Sequence, residues 1–181
     1  MIELPDGVRL VLASASPRRS ELLRSVGLEF EVIPADIDES VLPGESPTAY
    51  VARLSAEKAA AVAQRVGSDV IVVAADTTVD IDGLILEKPL DAGDARRMLG
   101  LLSGRTHLVH TAVTVLPGST VVVETAVEFV ELTPETMDWY VATGEPFDKA
   151  GGYAIQGAGG ALVRRIDGSV TNVIGLPLAE T

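Results

Sequence analysis

The sequence has 181 residues, 47% of them hydrophobic, which is enough to bury a full core as one domain or two closely joined lobes. Its formal net charge of −12 argues against a general binder of nucleic acid or anionic membranes, since such proteins present broad basic surfaces. No apolar run is long enough to cross a bilayer, no secretory signal pattern opens the chain and no cysteine is present, so we expect a cytoplasmic protein without disulfides or thiolate zinc sites.

The first predicted elements place a sharp turn between a strand and a helix. Residues 10–13 are predicted to form a buried strand, and a helix is predicted from Pro17 to about Val26, with Ser16 as its N-cap. The turn Ser14 to Arg19 therefore gathers hydroxyls and two guanidinium groups at a helix N-terminus, where anions are favoured. It is either a phosphate-binding turn or a solvated basic helix start, and the spacing alone favours neither.

The next elements lead to an acidic residue at a predicted strand end. A strand over 30–33 and an acidic loop precede a helix that Ser46 and Pro47 open and Gly67 ends. Lys58 lies in this helix, and the helix pattern alone predicts a solvated lysine. Residues 70–75 are the most apolar run and predict a central strand that ends at Asp76. Ligands gather at the carboxyl ends of such strands, so a functional Asp76 is favoured over a capping one.

The second half continues the series of predicted strands and helices. The predicted elements are a hairpin over 79–86 through Asp82 and Gly83, a helix capped by Asp91, strands over 107–116 and 120–132, a helix after Thr133, a glycine-rich segment over 145–160, and a last hairpin of 161–166 and 169–174. His107 and His110 are three residues apart on a strand and point to opposite faces, so they are predicted to be structural or surface residues rather than joint metal ligands.

Two sets of loop and helix residues indicate phosphate chemistry. Basic groups that can neutralise phosphate are Arg18, Arg19, Lys58 and Lys88, and carboxylates that can hold a hard divalent cation are Asp38, Glu39 and Asp76. Such a cation can also acidify a water for attack on phosphorus. The P-loop, the dinucleotide-binding glycine fingerprint and the G-x-S-x-G elbow are missing from the sequence. The residues alone therefore support metal-assisted phosphate-ester chemistry and no narrower reaction.

One motif and several shorter ones resemble a known family. Residues 12–23, Leu-Ala-Ser-Ala-Ser-Pro-Arg-Arg-Ser-Glu-Leu-Leu, resemble the opening motif of the Maf (septum formation inhibitor-like) nucleoside triphosphate pyrophosphatases. Shorter matches follow in the family's order: Ala75-Asp76-Thr77, Lys88-Pro89, Ser103 to His107, Asp148 to Gly151, Ile155-Gln156-Gly157 and Gly175-Leu176-Pro177. Members of this family commonly continue beyond Gly-Leu-Pro into a C-terminal helix, whereas this sequence ends at Thr181.

The resemblance implies a fold and a reaction. It implies one catalytic domain over residues 1–181. The implied fold is mixed α/β, a mixed central sheet with flanking helices and two lobes around a deep cleft, related to inosine-triphosphate pyrophosphatases. It also implies a hydrolase that cleaves between the α- and β-phosphates of a nucleotide and releases pyrophosphate. A homodimer is expected from the family, with no nucleic-acid or membrane partner.

The resemblance also assigns site residues by their match to the family's motifs. Asp76 matches the proton acceptor. Substrate-binding positions are matched by Ser14, Arg18, Arg19, Lys58, Lys88, Thr77 and Gln156, with Arg18, Thr77 and Gln156 at positions associated with substrate choice. Asp38 and Glu39 match an acidic pair of which one member acts in the site, and together with Asp76 they are the expected metal ligands. The expected metal is Mg²⁺, with Mn²⁺ or Co²⁺ as alternatives.

The base preference is implied by a single segment. Gly-Tyr-Ala-Ile-Gln-Gly, which contains Gln156, resembles the branch that acts on dTTP and UTP rather than the branch that acts on 7-methyl-GTP. A glutamine amide can both donate to and accept from a uracil or thymine edge, which is consistent with this branch. The alternative function is a nucleotide-binding regulator of cell division with little or no turnover.

Overall fold

The computed structural model describes residues 7–67 and 69–181. Its strands are β1 (Arg9–Leu12), β2 (Glu31–Val32), β3 (Val70–Ile81), β4 (Leu84–Leu86), β5 (Thr106–Leu116), β6 (Thr120–Phe129) and β7 (Val163–Asp167). Its helices are α1 (Pro17–Ser25), α2 (Pro47–Val66), α3 (Ala92–Leu102), α4 (Pro134–Ala142) and α5 (Val170–Ile174). Among these helices, none has the combined length and apolar character that a membrane span requires.

The strands form a mixed sheet in the order β2-β1-β3-β5-β6-β7, with β4 paired to β3 outside this order. β1 pairs in parallel with both β2 and β3, whereas β4 runs antiparallel to β3 and β7 runs antiparallel to β6. A parallel pair needs a crossover connection, and helices α1 and α2 supply the crossovers at this side of the sheet. The predicted mixed α/β fold is confirmed.

The chain folds as two compact units, each with its own core. The first comprises the described residues up to Asp76 with Thr111–Val123 and Gly175–Thr181, and the second comprises Thr77–His110 and Glu124–Ile174. A core of the first unit consists of Val11, Ala13, Ala59, Val62, Val70, Val72 and Ala74. The core of the second unit is larger and includes Leu86, Leu99, Leu102, Phe129, Tyr140 and Leu162.

Local signals set the helix starts, although Ser16, the predicted N-cap of α1, makes no side-chain capping hydrogen bond and Pro17 marks that start. Ser46 Oγ accepts from the N–H of Ala49 at the start of α2. Asp91 Oδ1 accepts from the N–H of Asp94 at the start of α3, and Thr133 caps α4 in the same way. Each cap satisfies a donor that has no partner within its own helix.

Strand β3 is longer than predicted. It runs without a break from Val70 to Ile81, so the prediction that it ends at Asp76 is wrong. Its parallel pairing with β1 stops at Val73, but antiparallel pairing with β4 begins at Val79, and this second partner keeps the chain extended. Asp76 therefore lies inside a strand, at the last residue of the first unit.

The predicted C-terminal hairpin is also wrong in its second half. Residues 170–174 form the short helix α5 instead of a strand. Ser169 Oγ accepts from the N–H of Asn172, and the buried Asn172 amide donates to the carbonyl of Val109 and to Thr125 Oγ1, at 3.0 Å each. These contacts outweigh the strand preference of the β-branched residues, because the helix gives the buried polar groups hydrogen-bond partners that a strand would not place within reach.

The histidines are both buried, in agreement with the structural half of the prediction. His107 Nε2 lies 2.7 Å from the hydroxyl of Tyr153. His110 Nε2 lies 3.4 Å from Asp80 Oδ2, a longer and weaker contact. Both histidines thus have partners within the second unit.

Candidate active site

The centre of the candidate site is an ammonium group between two carboxylates. Lys58 Nζ lies 2.6 Å from Asp76 Oδ1 and 2.7 Å from Glu39 Oε1. The side chains of Lys58 and Asp76 are only 9% and 10% exposed, whereas that of Glu39 is 44% exposed. The prediction of a solvated lysine, drawn from the helix pattern alone, is therefore wrong. We call Lys58, Glu39 and Asp76 the charged cluster.

Burial changes the acid–base properties of the charged cluster. Burial raises the pKa of Asp76 above its ordinary value, and the positive charges of Lys58 and Arg19 oppose the rise. Buried charge is costly unless it is paired, so the lysine is the group that allows two carboxylates to converge here. A carboxylate with a raised pKa accepts a proton more readily near neutral pH.

The turn before α1 contributes a second basic group. Arg19 Nε donates to the carbonyl of Gly175 at 2.8 Å, and Arg19 Nη1 donates to Ser14 Oγ at 3.1 Å. Ser14 Oγ also accepts from the N–H of Ser16, so the buried hydroxyl organises the turn. Burial lowers the pKa of Arg19, while the negative charge of Asp76 opposes this, so the two groups influence each other. Arg18 lies in the first turn of α1, half-buried.

The structure distinguishes the two members of the acidic pair. Glu39 joins the charged cluster, and its carbonyl accepts from the hydroxyl of Tyr50 on α2 at 2.9 Å. Asp38 instead accepts from the N–H and hydroxyl of Ser40 through Oδ1. These bonds lower the pKa of Asp38, the Ser40 hydroxyl being the larger cause.

Helix α2 also holds the loop that carries Glu39. Arg53 donates to the carbonyl of Ser40 and to both carboxylate oxygens of Glu45, at 2.7 and 2.8 Å for the carboxylate contacts. Tyr50 and Arg53 were not predicted from the sequence as residues that support the site. Their spacing of three places them on one face of α2, and that spacing is the signal that could have indicated an anchoring role.

The remaining predicted residues lie in the second unit. Thr77 follows Asp76 in β3 and is half-buried, Lys88 is exposed after β4, and Gln156 is exposed in the glycine-rich segment. The structure brings together Ser14, Arg19, Lys58, Glu39 and Asp76 in the first unit. The participation of Thr77, Lys88 and Gln156 stays a prediction.

The donor set of the charged cluster suits a hard cation. Glu39 and Asp76 each place one carboxylate oxygen within 2.7 Å of the same nitrogen. Mg²⁺ is commonly bound through one or two carboxylates plus water and phosphate oxygens. Over residues 7–67 and 69–181, no set of three or more His, Asp and Glu side chains is arranged to hold a metal ion. The structure thus joins two of the three expected metal ligands and turns Asp38 toward Ser40.

Comparison with known proteins shows which family the chain belongs to. The mixed sheet and the buried charged cluster are typical of an α/β enzyme. The model of the Maf-like protein family matches residues 9–181. The chain therefore belongs to the Maf family, and the resemblance inferred from the motifs is confirmed.

Named relatives are similar over nearly their whole length. The chain is 56% identical over 180 residues to a dTTP/UTP pyrophosphatase of Anaeromyxobacter dehalogenans (strain 2CP-1 / ATCC BAA-258), covering 96% of this chain and 90% of that protein. It is 54% identical over 179 residues to a dTTP/UTP pyrophosphatase of Myxococcus xanthus (strain DK1622), with 97% and 90% covered. A solved nucleoside-triphosphatase / dITP/XTP pyrophosphatase from Mycobacterium abscessus aligns at 20% identity with a TM-score of 0.40, over 67% of this chain and 72% of that one, and is too distant to inform the site.

Proposed function

We propose that this protein hydrolyses dTTP and UTP to the nucleoside monophosphate and pyrophosphate. The observation that carries the proposal is the charged cluster, a buried carboxylate and lysine next to a phosphate-suited turn. The names of relatives that are 54% and 56% identical over nearly the whole chain support the same reaction. The protein is accordingly a hydrolase of nucleoside triphosphates.

Asp76 is the proposed proton acceptor. A water attacks the α-phosphorus, the bond from that phosphorus to the bridging oxygen breaks, and pyrophosphate leaves. Asp76 takes the proton that the water loses, and its raised pKa suits this role. Lys58, 2.6 Å away, holds the carboxylate in place and keeps enough positive charge beside it for the ionised form to persist.

The basic groups are proposed to hold the triphosphate. Ser14, Arg18 and Arg19 lie at the N-terminus of α1, where the helix dipole and the guanidinium forks both favour phosphate oxygens. Lys58 and Lys88 add positive charge that stabilises the leaving pyrophosphate. In a protein of net charge −12, such a local concentration is what a polyanionic substrate requires.

Glu39 and Asp76 are the proposed holders of a divalent cation, with Mg²⁺ first and Mn²⁺ or Co²⁺ as alternatives. When bound, the cation would supply neutralisation of phosphate charge. Asp38 is not proposed as a ligand, because its carboxylate is engaged by Ser40.

Gln156 and Thr77 are proposed to set the choice of base. The amide of Gln156 has both a donor and an acceptor, and a uracil or thymine edge presents both. The side chain of Gln156 is exposed, which leaves its amide accessible to a nucleotide.

The experiment that tests the reaction is product identification. The protein is incubated with Mg²⁺ and each of dTTP, UTP, CTP, ATP and GTP, and the products are separated by ion exchange. We expect monophosphate and pyrophosphate, with dTTP and UTP preferred. Release of orthophosphate alone would contradict the proposal, and so would nucleotide binding without turnover across Mg²⁺, Mn²⁺ and Co²⁺. The latter result would favour the regulator of cell division, which the names of the relatives do not favour.

Two further expectations concern the protein beyond its site. A homodimer and a cytoplasmic location were expected from the family and the composition, and both stay predictions. Light scattering after gel filtration measures the first, and fractionation of the source cells measures the second.

A further inference from the structure

The segment around Gln156 is held from both sides by one tyrosine and one glutamate. We call residues 154–159 the Gln156 loop. On its N-terminal side, the N–H of Ala154 donates to the hydroxyl of Tyr140 at 3.1 Å. On its C-terminal side, the N–H groups of Ala158 and Gly159 donate to the carboxylate of Glu145 at 2.9 and 3.0 Å. The hydroxyl of Tyr140 donates in turn to Glu145 Oε1 at 2.8 Å, which joins the two anchors.

Tyr140 is a rigid support for these bonds. It is fully buried in the last part of α4, in the core of the second unit, next to the half-exposed Trp139. Glu145 opens the short 3₁₀ turn Glu145–Asp148 that follows α4. Both anchors therefore sit on ordered elements, while Gln156 itself is exposed between them.

The glycines of the loop show how closely it lies against its anchors. A Cβ at position 157 would lie 2.1 Å from Glu145 Oε2. A Cβ at position 159 would lie 2.7 Å from the Tyr140 hydroxyl and 2.5 Å from the carbonyl of Ala154. Real side chains do not approach so closely, so Gly157 and Gly159 permit the hydrogen bonds that fix the loop.

The anchoring carboxylate is ionised at neutral pH. Burial alone would raise the pKa of Glu145, but the hydrogen bonds from Gly159, Tyr140 and Ala158 outweigh burial and lower it. An ionised carboxylate accepts all three bonds at once, which a neutral amide at the same position cannot do.

We propose that Tyr140 and Glu145 are positioning residues that set base preference by fixing the Gln156 loop. They act through Gln156 and do not touch the substrate. This inference rests on the proposed function, in which Gln156 recognises the base. An exposed glutamine on an unanchored loop would sample many orientations, and a hydrogen-bonding group discriminates only when it is held in place.

The expected effect is a loss of base preference with little loss of turnover. We replace Glu145 by glutamine and Tyr140 by phenylalanine, and measure kcat and KM separately for UTP and CTP. Each substitution should lower the preference for UTP over CTP by about tenfold, the effect of one misplaced hydrogen bond. The change should appear in KM for UTP, while kcat at saturation stays within about threefold.

A double substitution tests whether the anchors act through Gln156. Gln156→Ala defines the full loss of preference. If Glu145 positions Gln156, the variant Glu145→Gln/Gln156→Ala shows the same preference as Gln156→Ala alone. Additive losses would overturn the inference, because they would mean that Glu145 contributes independently of Gln156.

A matched control separates positioning from stability. Glu128→Gln makes the same change in the same unit, at a site whose carboxylate pairs with the exposed Arg164. We expect it to leave preference unchanged. If Glu145→Gln lowers the melting temperature but the folded enzyme keeps its UTP preference and KM, the residue is merely structural and the inference is overturned.

The unmodified protein separates this inference from the proposed function. If it fails to hydrolyse UTP, or if Gln156→Ala retains the full preference, the proposed function of the site or of Gln156 is wrong, and the inference falls with it. If Gln156→Ala removes preference and Glu145→Gln and Tyr140→Phe do not, the inference alone is wrong.

Discussion

The two units each bury a polar group of a different kind. In the first unit, Lys58 and Asp76 form a buried ion pair with Glu39 at its edge. In the second, His107 donates or accepts a single neutral hydrogen bond with Tyr153, and Phe129 packs edge-on against both rings, at centroid distances of 5.0 and 4.8 Å. The charged cluster of the first unit extends to the partly exposed Glu39. The aromatic grouping of the second unit is uncharged, and its members are joined by one hydrogen bond, between His107 and Tyr153.

The difference teaches where function is to be sought. Burial raises the pKa of Asp76, so the ionised carboxylate lowers the free energy of unfolding at neutral pH. Burial lowers the pKa of His107 to about 4, so the neutral ring is compatible with the fold at the same pH. A fold that keeps the costly charged group gains something other than stability from it, and catalysis is the proposed gain.

The largest expected effect comes from removing the charge of Asp76. In Asp76→Asn, the turnover of UTP should fall about 10²- to 10⁴-fold, since the proton acceptor is lost. The melting temperature should change little, because the raised pKa makes the ionised Asp76 costly to the fold and Glu39 remains as a partner for Lys58. Pyrophosphate release and thermal unfolding measure the two effects.

Asp82→Asn is the matched control. It makes the same change at an exposed turn position that pairs with Arg105, and activity should be unchanged. Turnover by Asp76→Asn equal to that of the unmodified protein would remove Asp76 from the mechanism.

The next effect comes from removing the cation of the charged cluster. Lys58→Met leaves two converging carboxylates without the group between them, and the free energy of unfolding should fall by about 3 to 5 kcal/mol at neutral pH. The pKa of Asp76 should rise further, so the acid limb of the pH–rate profile moves to higher pH. Urea unfolding and a pH profile check both.

Arg97→Met is the control for this prediction, since it breaks an exposed pair with Asp94 and should change stability by less than about 1 kcal/mol. Equal losses in the two variants would show that the buried pair has no special role.

A third effect is the pH dependence of stability that the buried His107 causes. Because the pKa of His107 is about 4 in the fold and has an ordinary value of 6.5, the unfolded chain binds a proton first as the pH falls. Stability is full above pH 6.5 and declines by roughly 3 kcal/mol as the pH falls through this window.

The variant His107→Gln should show a flatter dependence of unfolding free energy on pH between 6.5 and 4. Tyr153→Phe keeps the titrating ring buried and should keep the slope. An unchanged slope in His107→Gln would assign the acid sensitivity to other groups.

The smallest effect belongs to the ion pair of Arg53 and Glu45, whose side chains are only 21% and 8% exposed. A hydrogen bond from Arg53 lowers the pKa of Glu45 to about 2, so this pair stabilises the fold above pH 4.5 and loses its effect as the pH falls through 2. Glu45→Gln should cost about 1 to 2 kcal/mol at neutral pH, because the amide keeps one oxygen as an acceptor for Arg53 but loses the charge. Thermal unfolding at pH 7 measures it, and a loss as large as that of Lys58→Met would contradict this ranking of the two ion pairs.

Local signals in the sequence predicted much of the fold. Proline, capping and turn residues correctly predicted the helix starts at Pro17, Pro47 and Pro134. The Asp-Gly turn correctly predicted the hairpin at Asp82. The helix over 170–174 was not predicted, because it depends on Val109 and Thr125, which lie far along the chain. The continuation of β3 past Asp76 was not predicted either, because the polar run Asp76-Thr77-Thr78 was interpreted as a strand end although the strand continues through it into its hairpin with β4.

The sequence predicted which residues form the site better than it predicted their contacts. The basic and acidic residues that converge in the first unit were all named from the sequence and the resemblance. The choice of Glu39 over Asp38 depends on the Tyr50 hydroxyl that holds its backbone, eleven residues away, and no spacing rule encodes it. The anchors Tyr140 and Glu145 were not predicted, because their contacts with the Gln156 loop also follow no spacing rule. The glycines at 157 and 159 were the sequence feature that indicated close packing.

Trp139 gives the protein an internal optical probe. It is the only tryptophan in the sequence, it is half-exposed, and its ring centroid lies 6.2 Å from that of Tyr140. Its fluorescence therefore reports on the end of α4 that supports the Gln156 loop, and no second tryptophan contributes to the emission. Nucleotide titrations can thus be followed by fluorescence on unlabelled protein. For each variant, one titration gives both the nucleotide affinity and the change in the environment of Trp139.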